Sequence, residues 1–206
     1  MSYFFNGNTI NTGSLSNTLT TFGSPSFSSA FTSVAGLSSV FFNNSNKASS
    51  MSSNYYIASA SCNFPMTISV WIYTDLSYYM TVLGLRYTGS YGIQLDIDTS
   101  GLIYGNFGSG ILYSAASALQ ANTWTHIALS ISSTSSASHF ASMYVNGMLQ
   151  NSLTINYQLV GQPTLYIGGS GYTDRGYHGY MQSLHMYNRA LQSSEISTLI
   201  RGQLVL

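Results

Sequence analysis

"GYMQSLHMYNRALQSSEISTLI", residues 179–200, decides the fold, because its hydrophobic period changes halfway through. Residues 180–187 alternate as a strand does, sending successive side chains to opposite faces. The corner Asn188-Arg189-Ala190 then leads into a run whose Leu191, Ile196, Leu199 and Ile200 share one helical face. Glu195, the only glutamate in the chain, falls near the first turn, where a negative charge suits the helix dipole. Arg201-Gly202 supplies a basic last turn and a stop. A helix this short does not stand alone, so it must pack on a sheet. The stretch is expected to be the closing strand, corner and packing helix of a β protein.

Outward from this stretch the period stays at two. "TISVWIYT" (67–74), "YGIQLDID" (91–98), "WTHIALSI" (124–131) and "PTLYIGG" (163–169) read as strands. "SMYVNGMLQ" (142–150) reads as a hairpin, since Asn146-Gly147 favours the left-handed angles of a type I′ turn. Asp98-Thr99-Ser100-Gly101 is a similar turn before "LIYGNF". Residues 11–40 read as loops around weak strands, because Phe22, Phe27, Phe31 and then Phe41 recur too often for a solvated tether. "SSTSSAS" (132–138) reads as an exposed connection. Turns recur about every ten residues and strands do not alternate with helices. The expected fold class is all-β: an antiparallel β-sandwich of jelly-roll type with one short C-terminal helix, one domain over 1–206.

Composition narrows the partners. Hydrophobic residues make up 45% of the 206, enough for a core, while aromatic residues at 14% argue against disorder. Charged residues are only 5%, with five Lys/Arg balancing five Asp/Glu. That balance leaves no electrostatic footprint for nucleic acid or an anionic membrane. A polar, uncharged surface suits neutral partners, namely sugars or other protein faces, and a multimeric or packed setting. Cys62 is the sole cysteine, which excludes an intrachain disulfide and reads as a small buried hydrophobe. No stretch has the apolar length to span a bilayer, and "MSYFFNGNTIN" lacks the basic start and apolar run of a signal peptide. An extracellular or virion-surface location is expected.

With the strands placed, the chain resembles the laminin-G-like jelly rolls of the concanavalin A-like lectin/glucanase superfamily. "YFFNGNTIN" and "SVFFNNSN" look like the opening strands, and Trp71 in "MTISVWIYTD" sits in a Ser-x-x-Trp strand. "TWTHIALSI" is similar to the Trp-x-His strand through Trp124, His126 and Ala128, and "MYVNGML" to the Tyr-Val-Asn-Gly hairpin. "LYIGG" follows in order. Gly179, Tyr187, Asn188, Arg189, Ala190, Leu191, Glu195 and Ile196 match the closing signature. Two positions depart from it. Gln182 stands where relatives often carry Asp, near a calcium or structural polar site. Gln192 replaces the N-cap Ser, so Ser193 or Ser194 is expected to cap instead.

The resemblance includes glucanases, whose paired carboxylates alternate along one strand. The nearest match is "QLDID", with Gln94, Asp96 and Asp98. Gln94 can neither form a glycosyl ester nor donate a proton, so an exposed strand ending in a turn cap is the expected reading, and the protein is not expected to be an enzyme. His126, His139, His178 and His185 lack zinc-ligand spacing. No cofactor is expected. Calcium, which many relatives bind at one rim, is set against four scattered aspartates, Asp75, Asp96, Asp98 and Asp174. Tyrosines gather in 84–91 and 170–180, with Tyr78 and Tyr79 nearby. Tyr rings and Arg stack on sugars or anchor interfaces, and Asp accepts sugar hydroxyls. The candidate ligand-binding residues are Tyr87, Tyr91, Tyr172, Asp174, Arg175, Tyr177 and His178. The expected function is a non-catalytic recognition module for glycan or a protein partner, acting through rim loops. The alternative is a structural capsid, fibre or surface-assembly protein packing against neighbouring subunits.

Overall fold

The two-residue period resolves into two antiparallel sheets in a computed structural model, which describes residues 2–3, 20–22, 24–33, 37–43, 50–54, 65–87, 90–108, 110–135, 138–156, 163–170 and 175–201. The first strands are β1 (Ser2–Tyr3), β2 (Thr20–Phe22), β3 (Ser26–Ser28), β4 (Ser39–Phe42) and β5 (Ser50–Asn54). The central ones are β6 (Met66–Tyr73), β7 (Met80–Tyr87), β8 (Ser90–Ile97), β9 (Ile103–Asn106) and β10 (Ile111–Tyr113). Then come β11 (Thr125–Ser133), β12 (His139–Val145), β13 (Met148–Ile155), β14 (Thr164–Ile167), β15 (Gly179–Tyr187) and the helix α1 (Ser193–Ile200). Among the described residues an eight-stranded sheet runs β13-β12-β11-β6-β15-β4-β3, with β1 beside β15. A seven-stranded sheet runs β10-β9-β8-β7-β14-β5-β2.

Alternate residues of each strand point between the sheets. Ile68, Val70 and Ile72 on β6 and Ile127, Leu129 and Ile131 on β11 meet Leu83, Leu85, Ile93, Leu95 and Ile97 of the facing sheet. Burying each such side chain contributes about 1.5–3 kcal/mol. The hairpin forms as its sequence demands: Asn146 and Gly147 have φ of +49° and +78°. Asn146 also accepts from the His126 amide through Oδ1 at 2.9 Å and donates to the His126 carbonyl at 2.8 Å. Cys62 lies outside the described residues.

The closing segment is nailed to the eight-stranded sheet by hydroxyls. Thr67 Oγ1 donates to the Arg189 carbonyl at 2.9 Å and accepts from the Leu191 amide at 2.8 Å, while Ser130 Oγ donates to the Leu191 carbonyl at 3.0 Å. Leu191, just before the helix, and Ile196 and Leu199 on it then pack with Ala128, Tyr144 and Tyr187. Two expectations are corrected here. The N-cap is Gln192 rather than a serine, and Glu195 Oε2 accepts its amide at 2.9 Å. Strand β15 is also not a plain alternation: Ser183, at φ +52°, makes a bulge that lets Met181, Leu184 and Met186 all point inward. Gln182 is fully buried, and its Oε1 accepts from the Ser33 amide at 2.8 Å and from the Ser33 hydroxyl. A neutral amide therefore fills the polar position where the resemblance implies a carboxylate.

Candidate functional site

Segment 175–178 and the loop 74–79 share one rim of the sandwich and send their side chains to different places. The Arg175 carbonyl accepts from the Thr81 amide at 3.3 Å, which fixes the segment against the start of β7. From there the Arg175 guanidinium turns toward the outer face of the seven-stranded sheet. Its carbon stands 5.0 Å from the centre of the Tyr79 ring, and Nη1 is 3.9 Å from Asp96 Oδ2. The Arg175 side chain is 46% exposed and that of Asp96 only 3%, so one end of the pair is presented to solvent and the other is anchored.

The Asp96 carboxylate is the hub of a dense network. Thr81 Oγ1 donates to Oδ1 at 2.7 Å, Gln94 Nε2 lies 2.8 and 2.9 Å from the two oxygens, and the Tyr79 hydroxyl donates to Oδ2 at 3.2 Å. Burial pushes the Asp96 carboxyl above its ordinary value, against the opposing hydrogen bonds of Thr81, Gln94 and Tyr79 and the Arg175 charge. Burial, followed by the Asp96 charge, likewise raises the Tyr79 phenol. Gln94 and Asp96 were expected on an exposed strand; both are buried. The segment after β14 folds back over this face: Ser170 Cα lies 3.5 Å from where a Gly84 Cβ would stand, and Arg86 Nη1 donates to the Ser170 carbonyl at 3.3 Å. Asp98 does cap its turn, its Oδ1 accepting the amides of Ser100 at 2.8 Å and Leu102 at 3.0 Å.

Tyr177 is corrected outright. It is fully buried, and its hydroxyl lies within hydrogen-bonding distance of the carbonyls of Tyr73 at 3.0 Å and Tyr180 at 3.2 Å. Its place is beneath the rim, where no ligand reaches it. His178 turns to the opposite side from Arg175, with Nε2 4.0 Å from Asp75 Oδ2 and its ring beside Phe41 and Tyr78. Tyr87 and Tyr91 lie on β7 and β8 at the far end of that hairpin, the Arg86–Tyr91 end rather than the Met80–Ile97 end beside Arg175. Tyr172 and Asp174 lie outside the described residues. Arg175 and His178 thus share the rim, and Tyr87 and Tyr91 do not join them.

Sequence reasoning missed what the register assembles. Tyr113 on β10 pairs with Tyr104 on β9, Tyr104 with Asp96 on β8, and Asp96 with Thr81 on β7. These positions form one row across four strands on the outer face. Ring centres of Tyr79 and Tyr104 are 5.8 Å apart, and those of Tyr104 and Tyr113 are 5.2 Å apart. Tyr104 donates to Asp98 Oδ2 at 2.6 Å, a bond that raises its phenol to about 12. Local sequence gives no sign of the row, because three of its members are joined only by strand pairing.

A calcium ion needs several converging oxygens. Those of Asp96 are taken by Thr81, Gln94 and Tyr79, those of Asp98 by its own turn and Tyr104, and Asp75 Oδ1 by Ser77. The described residues do not fit calcium, and no group of three or more His, Cys, Asp or Glu gathers among them. Among them, too, no helix is long and apolar enough to cross a membrane.

The laminin-G-like model of the concanavalin A-like lectin/glucanases superfamily matches residues 45–197. Solved structures share the fold. Domain 4 of an extracellular arabinanase from Geobacillus stearothermophilus, in complex with arabinotriose, is 15% identical with a TM-score of 0.69, covering 97% of this chain and 96% of that one. The botulinum neurotoxin serotype G binding domain is 17% identical with a TM-score of 0.74, covering 98% and 50%. The binding domain of Paraclostridial Mosquitocidal Protein 1 is 16% identical with a TM-score of 0.70, covering 94% and 49%. The chain thus spans about half of each toxin domain. No curated protein matches it in sequence.

Proposed function

The chain belongs to the concanavalin A-like lectin/glucanase superfamily, and from that premise we propose that it is a non-catalytic recognition module for a glycan, acting at the rim that carries Arg175. The observation that carries this reading is the exposed Arg175 guanidinium, steadied over the Tyr79 ring at 5.0 Å and tethered to buried Asp96. A guanidinium with a fixed direction donates to sugar hydroxyls without first losing side-chain freedom. Tyr78 and His178 extend the same rim, with ring centres 6.5 Å apart. Catalysis is disfavoured by the chemistry of the strand: Gln94 is an amide, and the oxygens of Asp96 are occupied. A module of this kind works where neutral glycans are displayed, at an extracellular or virion surface.

The reading is tested by glycan-array binding followed by titration calorimetry on the purified chain. Arg175→Ala is expected to weaken binding at least tenfold while the melting temperature stays within a few degrees. Unchanged affinity in that folded variant contradicts the rim site.

One observation favours a second reading, assembly against neighbouring subunits. Ile111, Phe140, Met148 and Leu149, all exposed, lie on β10, β12 and β13, at the β10 and β13 ends of the two sheets. Edge strands bearing apolar residues invite pairing. Sedimentation that shows a self-associated species without glycan binding would favour this reading over recognition.

A further inference from the structure

We propose that the tyrosine row Tyr79–Tyr104–Tyr113 on the outer face of the seven-stranded sheet is an extended subsite for a linear, neutral oligosaccharide laid across the strands. It deepens the glycan reading above and rests on it. The row leads away from Arg175: Tyr79 lies beneath the guanidinium, Tyr104 is next at 5.8 Å, and Tyr113 ends it a further 5.2 Å out. The rings come from the residue before β7, from β9 and from β10, while β8 between the first two contributes Asp96 to the row. The chain axis of a ligand would therefore run perpendicular to the strands.

Three features choose the ligand class. The rings are turned against one another, by 45° between Tyr79 and Tyr104 and by 70° between Tyr104 and Tyr113. A single rigid planar ligand cannot lie on all three, whereas rings joined by flexible linkages meet each in turn. Tyr79 and Tyr113 are 40% and 42% exposed, leaving ring surface open to a partner. Charge decides the rest. Tyr79 and Tyr104 donate their hydroxyls to Asp96 and Asp98. Their phenol oxygens therefore keep acceptor capacity for sugar hydroxyls. Arg175 offsets the Asp96 charge at the head of the row, and the Asp98 carboxylate bonded to Tyr104 disfavours a uronate or sialate group there. A neutral chain fits this surface.

The test is titration calorimetry with linear oligosaccharides of arabinose, xylose and glucose, from one to five units, alongside oligogalacturonates. For at least one neutral series, affinity is expected to rise with length up to three units and then level off. Tyr113→Ala should weaken the trimer and longer chains about tenfold and leave the monosaccharide unchanged. Tyr113→Phe should restore most of the loss, and Arg175→Ala should weaken every length. Oligogalacturonates should bind at least tenfold more weakly than the neutral series. Affinity independent of length, a Tyr113→Ala variant that binds the pentamer as the parent does, or equal binding of the uronates would overturn the row while leaving the Arg175 rim standing. Loss of binding in Tyr113→Ala at all lengths, monosaccharide included, would also overturn it. If no oligosaccharide binds the folded parent, both readings fall.

Discussion

The closing end of the sandwich and the Arg175 rim use the same kinds of residue to opposite effect. At the closing end, Arg189 meets Glu195 through two parallel hydrogen bonds of 2.9 and 2.6 Å, and the pair sits beside the N-terminus of α1. The Arg189 hydrogen bonds, followed by the Gln192 amide, hold Glu195 down at about 2. At the rim, Arg175 lies 3.9 Å from Asp96 with its side chain 46% exposed. The first arginine is satisfied by a partner on its own segment. The second is steadied by a ring and a distant carboxylate. A short bidentate pair beside a helix end marks a structural contact, whereas the exposed guanidinium held over a ring is the place we propose for a ligand.

The largest effect that sharpens this contrast is expected from Ile196→Ala. The side chain is fully buried between α1 and the sheet, and its truncation should cost about 3 kcal/mol in urea unfolding. Glycan binding by the folded fraction should not change. A loss of affinity in that variant would break the separation of the two regions.

A smaller effect comes from pH. Burial, with His185 charge as a lesser cause, lowers His126 to about 3, and burial lowers His185 to about 4. Both rings are neutral in the fold, while the unfolded chain takes up their protons from about 6.5 downward. Stability is therefore fully present above pH 6.5 and is lost as pH falls toward the folded values. Between pH 7 and pH 5 each histidine should cost about 1–2 kcal/mol, read by denaturant melts at the two pH values. A flat profile would mean that the eight-stranded face around them is wet. Smallest is the effect of Arg175→Ala on stability, about 0.5–1 kcal/mol, because Arg175 is half-exposed at 3.9 Å and buried Asp96 keeps its hydrogen bonds from Thr81, Gln94 and Tyr79.

The closing end was legible because its signals are local. A switch from period two to a helical face, a glycine at a tight position and a run of named residues all lie within residues 179–200. Gly179 shows how local: at φ +141° any Cβ would stand 2.1 Å from the Tyr73 carbonyl oxygen. What escaped is non-local. Gln94 and Asp96 looked exposed because nothing in their own strand reveals the segment 168–170 folding back over β7. Tyr177, between glycines and polar residues, read as a rim tyrosine, yet it is the plug under that rim. Tyr104 and Tyr113 become neighbours only through strand register, which alternation alone does not reveal.

The most direct measurement is a heteronuclear NMR titration of the assigned chain with a binding neutral oligosaccharide. The expected result is a set of amide shifts centred on 78–79, 96–98, 104, 113 and 175–178, with 189–199 unmoved. Shifts centred on the corner and helix, or no shift anywhere at saturating sugar, would contradict the assignment of recognition to the rim.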